Sequence, residues 1–204
     1  MRLLLALLLV ACSPSATADP PTAQAPPLQA GQAEAVLAGG CFWCMEGPFD
    51  RVPGVLQTWS GYTGGPEVGP TYKDISYGRT GHYEALRVIY DPAKISYAQL
   101  LEVFWRNIDP TQSDGQFCDR GNQYRSAVFT SDPDEIATAE ASRTAAAKKL
   151  GKTVVTEVLP RSDFWLAEDY HQDFYQKSPG RYLQYRMGCG RDRRLRELWG
   201  TTGH

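Results

Sequence analysis

The sequence predicts an α+β domain. Apolar runs of strand length alternate with stretches of helical period, and Gly, Pro-Gly or Asp-Pro steps separate them. No internal repeat or heptad pattern is present. The chain has 204 residues, and the part from 34 to 204 is long enough to bury one core.

The first half of the domain begins with a short strand. The apolar run 35–38 stops at Gly39-Gly40, and a helix over 41–51 opens directly after the glycines. The segment 55–62 is rich in β-formers and predicts a second strand. The segment 63–81 is dense in Gly, Pro, Thr and Tyr, and its length indicates a functional loop.

The next elements complete a recognisable order. Residues 83–90 alternate as a strand, and Ser96 is an N-cap for a helix that extends through residue 107. A second Gly/Asp-rich loop over 108–123 precedes a strand over 125–130. The order β-α-β-β-α-β matches the split-βαβ, ferredoxin-like motif, a two-layer sandwich.

Three further elements follow this motif. Asp-Pro opens an Ala-rich helix over 132–151, with lysines in its last turn and a glycine at its end. Residues 153–159 predict a fifth strand, and 191–199 a small amphipathic helix.

Charge and histidine content exclude several functions. The formal charge is −2, from 21 basic and 23 acidic residues, so no basic excess is available to bind nucleic acid. Only three histidines are present, which argues against a His-rich metal site or a Ser-His-Asp hydrolase.

The N-terminus has the pattern of an export signal. Arg2 precedes a nine-residue apolar core over 3–11, which is too short for a permanent membrane span. The core ends in Leu-Val-Ala before Cys12, which resembles the lipobox of bacterial lipoproteins. We therefore expect a signal peptide over 1–11 and acylation of Cys12; a plain cleaved signal is the alternative.

The segment after Cys12 has the composition of a linker. Residues 13–33 contain five Pro and six Ala with a single charge, Asp19, so they cannot bury a core. We expect an anchor and a disordered linker over 12–33 and a catalytic domain over 34–204. The protein would then be exported and lipid-anchored at the periplasmic or extracytoplasmic face of a bacterial membrane.

Cys41-Phe-Trp-Cys44 is the strongest chemical signal. A Cys in the first turn of a helix faces free N–H groups and the positive end of the helix dipole, which favour a thiolate. Cys44 lies one turn away and can form a disulfide with it. Two alternatives stay open on these residues: a thiol-disulfide oxidoreductase, and a zinc-stabilised binding module completed by Cys118 and Cys189.

Several motifs together resemble the A-type peptide methionine sulfoxide reductases, over nearly all of residues 34–199. They are Gly40-Cys41-Phe42-Trp43, Gly61-Tyr62-Thr63-Gly64-Gly65, Pro70-Thr71-Tyr72, Thr80-Gly81-His82-Tyr83-Glu84-Ala85 and Gly121-Asn122-Gln123-Tyr124-Arg125-Ser126. The resemblance implies an α+β sandwich around a mixed sheet with flanking helices. It also implies reduction of the S epimer of methionine sulfoxide, free or in proteins, as repair of oxidative damage.

The resemblance also implies roles for individual residues. A sulfoxide has an electrophilic sulfur and a basic oxygen, so Cys41 would supply the thiolate and Glu84 the proton, from a carboxyl kept neutral by burial. Tyr72 and Tyr124 match positions whose phenols hydrogen-bond the sulfoxide oxygen. Asp119 matches a further active-site position.

Phe42 and Trp43 match the pocket for the S-methyl group. The family implies no metal and no organic cofactor, and we expect a monomer.

Oxygen transfer would leave Cys41 as a sulfenic acid, which a second thiol must convert to a disulfide. In the commonest family pattern a Gly stands where this chain has Cys44. We expect Cys44 to resolve the sulfenic acid, with Cys189 as the alternative or as a relay, and a thioredoxin-like partner to reduce the resulting disulfide. A structural disulfide between Cys118 and Cys189 is the other reading of that pair.

Overall fold

The computed structural model describes residues 22–200, which form a mixed six-stranded sheet with flanking helices and a separate short hairpin. The strands are β1 Ala33–Gly39, β2 Val55–Thr63, β3 Tyr83–Tyr90, β4 Gly115–Gln116, β5 Asp119–Arg120, β6 Ser126–Phe129, β7 Glu157–Leu159 and β8 Trp165–Leu166. The helices are α1 Phe42–Asp50, α2 Tyr72–Ser76, α3 Tyr97–Arg106, α4 Pro133–Leu150, α5 Phe174–Lys177, α6 Pro179–Gly188 and α7 Arg191–Trp199, with a 3₁₀ turn at Asn122–Tyr124.

The sheet has the order β7-β6-β1-β3-β2-β8. Its four central strands pair antiparallel, with β3 inserted between β1 and β2. This is the split-βαβ arrangement, so the α+β, ferredoxin-like prediction is confirmed. At the edges, β7 pairs parallel with β6 and β8 pairs antiparallel with β2, which makes the sheet mixed.

Alternation along β1 builds a core on both faces of the sheet. Leu37 and Leu86 point to the face covered by α1, α3 and α4, where they contact a cluster that includes Phe104. Val36 packs on the opposite face with Phe129. Because both faces are covered, every residue of β3 is buried.

Most element bounds match the predictions, and the exceptions have local causes. The fifth strand starts at residue 157 rather than 153, because the Val155 N–H donates to the Pro110 carbonyl instead of to a ladder partner. The 63–81 loop contains α2. Cys189 is the C-cap residue of α6.

The described part of the predicted linker packs on the domain. The Ala25 N–H donates to the Phe164 carbonyl at 3.0 Å, and the Leu166 N–H donates to the Ala23 carbonyl at 2.7 Å. Composition predicts no order here, but the free edge of β8 offers backbone partners that composition does not report. Residues 23–25 are therefore ordered on the domain, unlike the disordered linker expected over 12–33.

The predicted signal peptide and Cys12 lie outside the described residues. Within residues 22–200, no helix has the length and apolar character needed to cross a bilayer.

Candidate active site

Cys41 lies at the junction between β1 and α1. Gly40 makes the turn at a φ of +80°, and a Cβ there would lie 2.5 Å from the Cβ of Gln116. Only glycine therefore fits this turn, and Cys41 becomes the N-cap of α1. The Cys41 side chain is buried, with 6% of its surface exposed.

Cys41 and Cys44 are both free thiols and hydrogen-bond each other. Burial raises the pKa of Cys41, and the hydrogen bond to Cys44 and the charges of Glu84 and Asp119 raise it further. The hydrogen bond from Cys41 lowers the pKa of Cys44 to about 7. Burial and the neighbouring carboxylates therefore oppose ionisation of Cys41, whereas its place at the helix N-terminus favours it.

Glu84, on β3, lies against the first turn of α1. Its Oε2 accepts a hydrogen bond from the Phe42 N–H at 3.2 Å. Burial raises the pKa of this carboxyl to about 8, since the backbone hydrogen bond only partly offsets desolvation. Glu84 is therefore protonated at pH 7 and has a proton to donate.

Tyr72 and Tyr124 reach the site from two different loops. Tyr72 opens α2, and its N–H donates to Oε1 of Glu168 at 2.8 Å. Tyr124 ends the 3₁₀ turn. Burial and the charges of Glu84 and Cys41 raise the pKa of both phenols, that of Tyr72 to about 12. Both therefore stay protonated as hydrogen-bond donors.

Phe42 and Trp43 form an aromatic wall with neighbours that the sequence did not assign. Trp43 stacks on Phe174 with ring centroids 3.7 Å apart, and its Nε1–H donates to Nδ1 of His171 at 2.9 Å. Phe42 lies 5.9 Å from the Tyr62 ring centroid. The wall can accept a small apolar group such as a methyl.

Asp119 reaches Cys41 through Tyr185. The Tyr185 hydroxyl donates a short hydrogen bond to Oδ2 of Asp119 and also hydrogen-bonds Cys41. Burial raises the pKa of Asp119, against the lowering effect of the Tyr185 bond. Tyr185 lies on α6, which no motif marked, so sequence reasoning missed it.

Cys118 and Cys189 form a disulfide, 71 residues apart in sequence. This bond joins the hairpin that carries Asp119 to the end of α6. While it is intact, Cys189 has no thiol with which to resolve a sulfenic acid. The disulfide also removes two of the four cysteine sulfurs that the zinc-stabilised binding module requires as ligands.

The site thus gathers Cys41, Glu84, Tyr72 and Tyr124, with the aromatic wall and Asp119 around them. A buried thiol, a neutral carboxyl and two phenols are suited to attack on an electrophilic atom whose partner atom receives a proton.

Comparison with known proteins agrees with this chemistry. Residues 33–202 match the family model described as peptide methionine sulfoxide reductase. Peptide methionine sulfoxide reductase MsrA 2 of Caulobacter vibrioides is 54% identical over 180 residues, covering 87% of this chain and 91% of the relative. MsrA of Bacillus licheniformis is 46% identical and covers 81% and 93%.

Solved structures agree with this. Reduced Mxr1 of Saccharomyces cerevisiae has a TM-score of 0.70 at 31% identity, covering 74% of this chain and 88% of that one. Methionine sulfoxide reductase A of Corynebacterium diphtheriae has a TM-score of 0.67 at 33% identity, covering 74% and 77%.

Proposed function

This chain belongs to the peptide methionine sulfoxide reductase family and is an oxidoreductase that reduces methionine sulfoxide, and we propose that Cys41 attacks the sulfoxide sulfur while Glu84 protonates its oxygen. The buried carboxyl of Glu84, beside the helix N-terminus that carries Cys41, is the observation that supports these roles. Tyr72 and Tyr124 hydrogen-bond the oxygen, and Phe42 and Trp43 enclose the methyl group. This pocket selects the S epimer.

The electrons and atoms balance across two steps. The Cys41 sulfur gives two electrons to the sulfoxide and takes its oxygen, so methionine leaves and Cys41 becomes a sulfenic acid. Cys44 then attacks the Cys41 sulfur, the S–O bond breaks, and the oxygen leaves as water after taking a proton. The hydrogen bond between the two thiols supports Cys44 as the resolving residue.

A dithiol partner of the thioredoxin type then reduces the Cys41–Cys44 disulfide. One solved relative of this fold is yeast Mxr1 in complex with Trx2. We place the enzyme outside the cytosol as a monomer anchored through a lipid on Cys12, because the sequence there has the pattern of a lipoprotein signal.

Two alternative functions assign other roles to the same cysteines. A general thiol-disulfide oxidoreductase uses the Cys41–Cys44 pair but leaves Glu84, Tyr72 and Tyr124 without a role. The zinc-stabilised module needs the sulfurs that the Cys118–Cys189 disulfide occupies. The proton donors therefore favour sulfoxide reduction.

Three proteins test the proposal: the wild type, Cys41→Ser and Cys44→Ser. With the separated epimers of a methionine sulfoxide peptide, the wild type should consume the S epimer and Cys41→Ser neither. Cys44→Ser should release about one methionine per enzyme and then hold a sulfenic acid that dimedone traps at Cys41. Turnover by Cys41→Ser would overturn the mechanism, and equal consumption of the R epimer would overturn the selectivity.

A further inference from the structure

Two arginine side chains are buried next to the helix that carries the cysteine pair. Arg186 lies in the last turn of α6 and Arg191 in the first turn of α7, with only 2% and 1% of their surface exposed. Fully buried arginines are rare unless a partner offsets their charge. Their contacts therefore indicate what each cation stabilises.

Arg186 has a carboxylate partner and also reaches α1. Its Nε donates to Oδ1 of Asp192 at 2.9 Å, and its Nη1 lies 3.5 Å from the carbonyl oxygen of Cys44 and 3.3 Å from the Tyr182 hydroxyl. The charge of Arg186 is thus shared between Asp192 and the first turn of α1.

Arg191 is held without a carboxylate among its described contacts. Its Nη2 donates to the carbonyl oxygens of Gly39 at 3.1 Å and Asn107 at 2.7 Å, and lies 3.0 Å from Sδ of Met45. Its guanidinium carbon lies 4.4 Å above the Phe117 ring. Dipoles and a ring face hold the cation in place without a direct ion pair, and its charge acts on the nearby carboxyl of Asp119, whose pKa it lowers.

The contacts of the two arginines lie on the segment that carries Cys44, at Gly39, Met45 and the Cys44 carbonyl oxygen. Gly39 ends the strand before Cys41, and Met45 follows Cys44 on α1, so the Arg191 guanidinium lies against the backbone that carries both thiols. Cys44 itself is buried, with 1% of its surface exposed. A thiolate on Cys44 is the anion that this cation can offset.

We propose that Arg191, assisted by Arg186, holds Cys44 as a thiolate that is ready to attack the sulfenic acid on Cys41. The inference rests on the proposed function and specifies its second step. The Cys44 thiolate forms the S–S bond, and the S–O bond of Cys41 breaks. The departing hydroxide takes a proton from solvent to become water. Both arginines act through Cys44, so they are positioning residues.

The balance of charges around Cys44 agrees with this role. Its pKa is lowered to about 7, first by the hydrogen bond from Cys41 and then by the charges of Arg191 and Arg186, against burial and the charge of Asp119. Glu84 and Tyr182 also face Cys44; their own pKa values are raised partly by its charge. Once Cys41 carries oxygen its thiol hydrogen bond is gone, and the two guanidinium charges remain.

The disulfide fixes the segment that presents both cations. Cys189 lies between α6 and α7 and is bonded to Cys118, so it ties the junction to the hairpin. The covalent link keeps Arg186 and Arg191 on the side of α1 where Cys44 lies.

The test compares Arg191→Gln with Arg191→Lys and with Arg196→Gln, which removes the same charge from an exposed position of the same helix. In single turnover with an S-sulfoxide peptide, methionine release and disulfide formation are followed separately, with dimedone trapping of Cys41. Arg191→Gln should release about one methionine per enzyme but form the disulfide about tenfold more slowly at pH 7, with trapped sulfenic acid. The pH midpoint of disulfide formation should move upward by about one unit, and Arg191→Lys should restore it.

A loss of rate that is equal at all pH values would mean a structural role and overturn the inference. Disulfide formation by Arg191→Gln at the same rate as by Arg196→Gln would also overturn the inference. If neither the wild type nor any of the variants releases methionine, the proposed function fails instead.

A second measurement does not depend on the folding of Arg191→Gln. In Cys41→Ser, the iodoacetamide alkylation rate of the Cys44 peptide is measured by mass spectrometry against pH. A midpoint clearly below the ordinary value of about 8.5 supports the proposal, and a midpoint at or above that value overturns it.

Discussion

Glu84 and Phe42 are joined by a hydrogen bond in which the Phe42 backbone N–H donates to Oε2 of Glu84 at 3.2 Å. The bond connects β3 to the first turn of α1, so the carboxyl is held beside the helix N-terminus at which Cys41 is the cap. Since burial raises its pKa to about 8, the carboxyl carries its proton at neutral pH. The fold thus places the Glu84 carboxyl beside the helix N-terminus that carries the Cys41 thiol, and burial keeps this carboxyl protonated.

Glu84→Gln should lower kcat by about 10²- to 10⁴-fold, because an amide can hydrogen-bond the sulfoxide oxygen but cannot protonate it. KM should change little, since the side chain keeps its shape. In the wild type the group is protonated below a pKa of about 8, so activity should fall as pH rises through 8.

The measurement is a pH profile of kcat for both proteins. The alkaline limb that belongs to Glu84 should be absent in the variant. If both proteins show the same alkaline limb, that limb belongs to a group other than Glu84.

Cys118→Ala/Cys189→Ala should unfold more easily but still turn over. A disulfide that spans 71 residues stabilises a fold by about 2–4 kcal/mol, chiefly through the unfolded chain. Denaturant unfolding measures the loss. With dithiothreitol as reductant, repeated turnover should persist, because in the proposed mechanism Cys44 resolves the sulfenic acid. A stop after one methionine would instead give that role to Cys189.

Much of the fold could be predicted because its signals are local. The Asp-Pro start and glycine end of α4 match the predicted helix to within a residue, and the Gly39-Gly40 turn marked the start of α1. By contrast, β8 has two residues and depends on pairing with β2, which no local pattern reports. The pairing of residues 23–25 with that same edge was missed for the same reason.

The residues of the site likewise fall into two groups, those that local motifs predicted and those that they did not. Cys41 and Glu84 stand in compact motifs, so residue type and spacing indicated them. Tyr185 and Arg191 come from the C-terminal helices and contact Asp119 and Met45, beside the cysteines, only after the chain has folded back on α1. A buried arginine has the same sequence signal as an exposed one, and charge counting could not separate Arg191 from Arg196.

His171→Phe should weaken catalysis through Trp43. Nδ1 of His171 accepts the Trp43 Nε1–H, and phenylalanine would leave this part-buried donor without its partner. Such a loss costs about 1–3 kcal/mol, so kcat/KM for the S-sulfoxide should fall by about 5- to 150-fold. In a double-mutant cycle with Trp43→Phe the two losses should overlap, because both remove one hydrogen bond. Fully additive losses would contradict this coupling.

The burial of His171 also predicts that the stability of the protein decreases at acid pH. Burial lowers its pKa to about 4, so the folded protein keeps it neutral while the unfolded chain binds a proton below about 6.5. Its contribution to stability is therefore present above pH 6.5 and lost as pH falls toward 4. In His171→Phe, the free energy of unfolding should fall less steeply between these values; an unchanged slope would count against a neutral His171.

Glu46→Gln should make the protein more tolerant of alkaline pH. Glu46 is buried on α1 with 1% of its surface exposed, and its Oε2 has no hydrogen-bond partner among the described residues. Burial raises its pKa to about 8, against hydrogen bonds from the backbone N–H groups of Asp173 and Phe174. Because the folded state holds this proton more tightly than the unfolded chain, the contribution of Glu46 to stability is fully present below pH 4.5 and is lost as pH rises through 8.

Glutamine keeps an acceptor for the two N–H groups and has no proton to lose. The unfolding free energies of wild type and Glu46→Gln should therefore agree within about 1 kcal/mol at pH 4.5, and the variant should be about 2–4 kcal/mol more stable at pH 9. Denaturant titrations at the two pH values measure both differences. Glu84 has the same sign of dependence and remains in the variant, so part of the alkaline decline should persist. A difference between the two proteins that does not change with pH would show that Glu46 is ionised in the folded state.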